Sequence, residues 1–198
     1  MSLMNDVFNV TNGKLIVTDP CYKRGIRCQA IVDNVKNGTW TANISKHYER
    51  VAELEARHAE AFSYSSWERL DAEIGVDSGQ AGIFNEALYP AGDILGEYDD
   101  TTTFYGRACA ATLPPELQSQ SDTEQYEPFG FIEEGVVSSS GYGDGSYDAF
   151  VARNAAGEVV AVKIVFVSEE EDEASCCECG DDDIGAFVDD NEDYDGYR

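Results

Sequence analysis

Apolar residues recur at every second position in Glu158–Val167, where Val160, Val162, Ile164 and Phe166 share one face of an extended chain. The same alternation runs through Ser146–Arg153, and Asn154-Ala155-Ala156-Gly157 between the two runs has the chemistry of a tight turn. This pattern predicts a long antiparallel hairpin over 146–167 at the centre of a sheet. Two further pairs of apolar runs flank Asn-Gly dipeptides, whose residues tolerate the positive φ of a hairpin turn. One pair spans residues 6–18 around Asn12-Gly13 and is closed by the strand breaker Asp19-Pro20-Cys21-Tyr22. The other pairs residues 28–35 with 39–46 around Asn37-Gly38. Both read as hairpins. Residues 74–84 read as a strand whose glycines leave room for a bulge or a neighbouring chain.

Other segments are less regular. Residues 48–63 are rich in Glu, Ala, Leu and Arg, which favour helix, and Val51, Leu54, Ala61 and Phe62 fall roughly on one helical face. A strand is the alternative if tertiary pairing overrides local propensity. A short helix is predicted over 101–111, opening at Thr101–Thr103 and ending before Pro114-Pro115. Residues 116–130 read as a surface loop. The pattern as a whole predicts one α+β domain over residues 1–168, with a mainly antiparallel sheet and one or two short helices.

Charge changes the picture at the C-terminal end. Residues 1–168 carry 25 acidic and 12 basic side chains and residues 169–198 carry 14 and one, so each part contributes −13 to the net −26. From Glu169 onward too few apolar residues remain to offset the entropy of ordering, and an acidic, Cys-containing, disordered tail is expected. Its one apolar island is Ile184-Gly185-Ala186-Phe187-Val188. A surface this acidic repels nucleic acid and anionic membranes. The most apolar run, Val159–Val167, is interrupted by Lys163 and is far shorter than the ~20 residues of a spanning helix. No basic region followed by an apolar stretch opens the chain, so no secretory signal is expected. Six cysteines, three of them within 176–179, read as free thiols of a cytoplasmic protein.

Three words occur in order: Val17-Thr18-Asp19-Pro20-Cys21-Tyr22, the stretch Gly75–Phe84 (Gly-Val-Asp-Ser-Gly-Gln-Ala-Gly-Ile-Phe), and the stretch Val137–Tyr147 (Val-Ser-Ser-Ser-Gly-Tyr-Gly-Asp-Gly-Ser-Tyr). In these the chain resembles a group of bacterial and phage proteins, the domain-of-unknown-function 4241 type, over most of residues 15–168. The resemblance implies a fold and a cellular context, and no activity. It also tilts residues 50–58 toward strand.

Several residues carry candidate chemistry. Asp19, Asp77 and Asp144 each sit in a tight loop at a strand end. If they converged they could bind Mg²⁺ or Ca²⁺ and support metal-assisted hydrolysis. The plainer reading is that each holds its own loop backbone as an Asx turn. Cys21 is a candidate thiol nucleophile, which needs His47 or His58 beside its sulfur; the plainer reading is a packed cysteine. Cys176, Cys177 and Cys179 are candidate metal ligands, but three thiols without paired spacing fall short of a zinc ribbon. The glycines of Gly141–Ser146 run into a strand and not into a helix, which excludes a nucleotide-binding fingerprint, and Ser138–Ser140 lacks a nucleophile elbow. No cofactor is implied beyond a divalent metal. The expectation is a non-catalytic module that binds a protein partner, with a nucleic-acid mimic as one version and a metal-dependent hydrolase as the alternative. Tyr142, Asp144 and Tyr147 in the glycine-rich loop, with Ile184 and Phe187 in the tail, are the candidate contacts.

Overall fold

A computed structural model describes residues 6–92, 95–112 and 128–168. Their alternating and continuous apolar runs form eleven strands and one helix: β1 (Phe8–Val10), β2 (Leu15–Thr18), β3 (Ala30–Val32), β4 (Gly38–His47), β5 (Arg50–His58), β6 (Glu68–Val76), β7 (Gln80–Asn85), α1 (Phe104–Thr112), β8 (Phe129–Ile132), β9 (Gly135–Ser139), β10 (Gly145–Arg153) and β11 (Val159–Val165). They build a six-stranded sheet, β1-β4-β5-β11-β10-β6, and a five-stranded sheet, β3-β2-β7-β9-β8. Every pairing between named strands is antiparallel. The hairpin over 146–167 forms as expected, with β11 bound to both β10 and β5 in the middle of its sheet. No helix among the described residues is long and apolar enough to cross a membrane.

The sheets face each other over one core. Val10, Leu15, Val17, Trp40, Leu54, Ile74, Ile83, Val136, Val162 and Ile164 all belong to it. Trp40 is fully buried, and its indole N–H donates to the Lys36 carbonyl at 3.0 Å. A second cluster lies on the other face of the five-stranded sheet, where Ile16, Phe84, Ile132 and Val137 pack with Phe104 and Ala108 of α1 and with Tyr89. Strands covered on both faces have no polar side to alternate with. Accordingly, every residue of β2 and β7 is buried.

Neither Asn-Gly dipeptide closes a hairpin. β1 pairs with β4, whereas β2 pairs with β3 and β7. β3 and β4 likewise lie in different sheets. Each dipeptide instead marks a corner where the chain passes from one sheet to the other. Gly13 at φ 70° and Gly38 at φ 127° do take the expected backbone. The corners bind each other: Gly13 N–H donates to Asn37 Oδ1 at 2.7 Å, and Val35 N–H to the Gly13 carbonyl at 2.9 Å. An Asn-Gly pair sets the local backbone, but burial decides which sheet receives the next strand. Residues 74–84 are a third such corner: they divide between β6 and β7, in separate sheets, around Asp77-Ser78-Gly79.

Residues 50–58 are a strand, against their helical propensity and with the family resemblance. Leu54 and Ala56 point into the core while Glu53, Glu55 and Arg57 lie outward, and β5 pairs along both edges. Phe62, placed by the helical pattern on an apolar face, is 95% exposed. The predicted helix is α1, and Thr103 Oγ1 caps it by accepting from Gly106 N–H at 3.2 Å. Phe129 and Gly130, expected in a loop, open β8.

Candidate functional site

The three words of the family resemblance meet at one turn, residues 77–79. Asp19, just beyond β2, is fully buried. Its Oδ1 accepts from Cys21 N–H at 2.7 Å and from Ser78 Oγ at 2.7 Å. Its Oδ2 accepts from Asp77 N–H and Ser78 N–H, both at 2.8 Å. A carboxylate has roughly four acceptor positions, and here all are taken. From the opposite side Asp144 Oδ1 accepts from Gly79 N–H at 3.0 Å, and Ser140 N–H donates to the Gly79 carbonyl at 3.0 Å. The Asp77 carboxylate acts instead on the Tyr22 hydroxyl, helping to raise its pKa. Two of the three carboxylates, Asp19 and Asp144, thus converge on the backbone of one turn, each with its own donors. The described residues contain no group of three or more His, Cys, Asp or Glu arranged to hold a metal ion.

Around this turn burial keeps acidic protons in place. The Cys21 thiol is pushed well above its ordinary range, first by burial, then by its hydrogen bond to Asp19 and by the charges of Asp19 and Asp77. Burial likewise raises Cys109, and it raises Tyr22 and Tyr89 well above the usual phenol range. Tyr105 is pushed up to about 12 by burial and then by Cys109. A nucleophilic cysteine needs thiolate character, and Cys21 is held in the opposite state. The ring nitrogens of His58 face the Asn37 carbonyl at 3.1 Å and Glu60 N–H at 3.1 Å, and His47 stacks edge-on against Tyr48 at 4.4 Å.

The close approach expected from the glycines is present. A Cβ on Gly75 would lie 2.7 Å from Cys28 Cβ, and a Cβ on Gly82 would lie 2.6 Å from the Val136 carbonyl oxygen. Of the predicted contact residues, Tyr142 is exposed and Asp144 holds Gly79. Tyr147 is half-buried: its ring packs edge-on against Phe166, and its hydroxyl lies 2.9 Å and 2.7 Å from the carbonyls of Ser140 and Gly143. Cys176, Cys177, Cys179, Ile184 and Phe187 lie outside the described residues.

A surface missed by the sequence reading lies at the β4–β5 tip. The strands are joined by two residues, Tyr48-Glu49, and Tyr48 sits at φ 52° with 87% of its surface exposed. Among two-residue hairpin turns, the one with positive φ at only its first central residue is type II′, which favours glycine there. His47 pairs with Arg50 across the tip, and the Arg50 guanidinium lies 4.7 Å from the centre of the Tyr142 ring, which is 57% exposed. Two exposed tyrosines, a histidine and an arginine therefore form one continuous surface. Tyr142 in its glycine-rich loop was a usable signal. Tyr48 was not, because Tyr-Glu carries no turn signature.

Residues 73–164 match the family described as protein of unknown function (DUF4241). That is the family of the resemblance. The matched segment contains the second and third words and stops short of Asp19, whose carboxylate holds the second word in place. No curated protein and no solved structure matches the chain.

Proposed function

We propose that the protein is a non-catalytic binding module that engages a protein partner through the Tyr48–His47–Arg50–Tyr142 tip of its six-stranded sheet. The observation that carries this reading is Tyr48. A bulky residue at positive φ is uncommon and costs on the order of 1–2 kcal/mol, and here 87% of the residue is in solvent, with the edge-on His47 ring 4.4 Å away. Backbone strain of this kind collects at functional positions. Tyrosine and arginine are also the residue types that dominate binding energy at protein interfaces. The outer face of the same sheet lends the mimic version no support. Its acids alternate with cations in ion pairs, Lys163–Glu53 at 2.6 Å and Arg69–Asp148, in place of a continuous acidic array.

The test is affinity capture from cell lysate with wild-type protein beside Tyr48→Gly and the double variant Arg50→Ala/Tyr142→Ala. Recovery should fall about tenfold or more for the double variant. Identical recovery by all three, or no specific recovery by the wild type, rejects the reading.

A further inference from the structure

The four edge strands of the two sheets are not equally guarded. β1 and β3 are three residues long. β6 carries Arg69, Asp71 and Glu73, and its Gly75 N–H donates outward to the Cys28 carbonyl at 3.1 Å. Charges and short length are how edge strands avoid pairing with other chains. β8 reads Phe-Gly-Phe-Ile and has no charge. Ser139 N–H donates to the Pro128 carbonyl at 2.8 Å, and Cα partners run from Phe129/Ser138 to Ile132/Gly135. Hydrogen-bonded pairs alternate in an antiparallel ladder, so they fall at Gly130/Val137 and Ile132/Gly135. The N–H and C=O groups of Phe129 and Phe131 therefore point away from β9, to the edge where no described strand lies.

A groove of about 940 Å³ opens along this edge, between β8, the last turns of α1 and the start of β1. Phe129, Phe131, Ala111, Val7 and Ala42 give it apolar walls. Asp6 and Glu133 are its carboxylates, and Arg107, the cation among its described lining residues, is paired with Glu134 and donates to the Thr102 carbonyl at 3.1 Å. The net charge of −26 reinforces that local sign.

We propose that this groove takes an extended peptide of a partner protein, with alternating apolar and cationic residues, added as a further strand on β8. Main-chain bonds to Phe129 and Phe131 would fix the peptide, one row of its side chains would fill the apolar slot, and the other row would meet Asp6 and Glu133. A second copy of the chain is the poorer guest, because it would set like charges against these carboxylates. The inference rests on the protein-binding reading but uses a surface distinct from the tyrosine tip.

The experiment titrates full-length protein with fluorescent peptides at physiological salt: alternating Lys-Val, alternating Glu-Val, and the Lys-Val peptide with a central proline. Backbone amide shifts are followed in parallel. The Lys-Val peptide should bind, shift the amides of Phe129 and Phe131, and bind about tenfold tighter than its proline version. The variant Asp6→Lys/Glu133→Lys should lose about tenfold in affinity while its circular dichroism stays unchanged. Tyr48→Gly should bind the peptide as the wild type does, so failure at the tip and failure here are read separately. Equal binding of the proline version would mean charge attraction without strand addition and would overturn the proposal. Absent binding, preference for the Glu-Val peptide, or β8 shifts that depend only on protein concentration would overturn it equally.

Discussion

The two sides of the sandwich close in opposite ways. On the side of β3 and β6, backbone and side-chain hydrogen bonds stitch the sheets together: Gly75 N–H reaches Cys28, and the buried Asp19 gathers four donors from its own loop and from the 77–79 turn. On the side of β1 and β8 an apolar groove separates the strands, and the β8 edge is unpaired among the described residues. Both sides contain glycines and phenyl or tyrosyl rings, so composition does not distinguish them. The difference is polar satisfaction. A buried carboxylate with every acceptor position filled makes a rigid joint, whereas an edge with unpaired amides remains able to accept another chain.

The stitched side should be the costlier to damage. Asp19→Ala leaves four donors without their acceptor and should lower stability by about 3–4 kcal/mol. Asp19→Asn should also destabilise, because its amide would face the donors Asp77 N–H or Cys21 N–H. Denaturant unfolding measures both, and an unchanged midpoint for Asp19→Ala would remove the joint from the account. Next in size is Gly75→Ala, whose added Cβ meets Cys28 Cβ at 2.7 Å. It should cost about 1–3 kcal/mol.

Alkaline pH attacks the same side without a mutation. Cys21, Tyr22, Tyr89 and Tyr105 hold their protons above their ordinary values of 9.0 and 10.0, Tyr105 to about 12. The unfolded chain ionises these groups first, so the folded state binds more protons at high pH. Their contribution is complete below about pH 9 and is lost as pH rises from there toward 12. Urea midpoints across that range should fall, and Tyr105→Phe should fall less steeply.

Smaller effects sharpen the contrast at the surface. Tyr48→Gly relieves the left-handed backbone but frees the unfolded chain, for a net gain of about 0.5–1 kcal/mol. A rise in melting temperature together with lost partner capture would show that the tip trades stability for binding. On the open side Glu133→Lys should change stability by less than about 0.5 kcal/mol. There hydrogen exchange should be fast at the amides of Phe129 and Phe131 and slow at Gly75, and comparable protection would mean that the β8 edge is already paired.

Much of the local structure was legible. The β10–β11 hairpin announced itself by two apolar-rich runs around a turn signal, and α1 by its threonine-rich opening. Residues 50–58 held two signals at once: a helix-forming composition, and an alternation of Glu53, Glu55 and Arg57 with Leu54, Ala56 and His58 that matches one buried strand face. Tertiary pairing on both edges of β5 decided between them. The Asn-Gly dipeptides showed where the chain turns and misled about what it turns toward. Of the candidate site residues, Asp19, Asp77 and Asp144 were legible as loop carboxylates at strand ends, but the engagement of residues 77–79 by Asp19 and Asp144 joins positions far apart in the chain.

By itself, then, the sequence determined the elements that depend on neighbours a few residues away: alternation, turn-forming glycines, the helix cap, and the excess of acid. Tertiary structure alone decided which sheet each strand joined, that Asp19 would be satisfied by a distant turn, that Tyr48 would be exposed at a strained tip, and that no described strand would cover the β8 edge. Each of these depends on which polar groups and faces remain after packing. Packing is a property of the whole core, and no single stretch of chain encodes it.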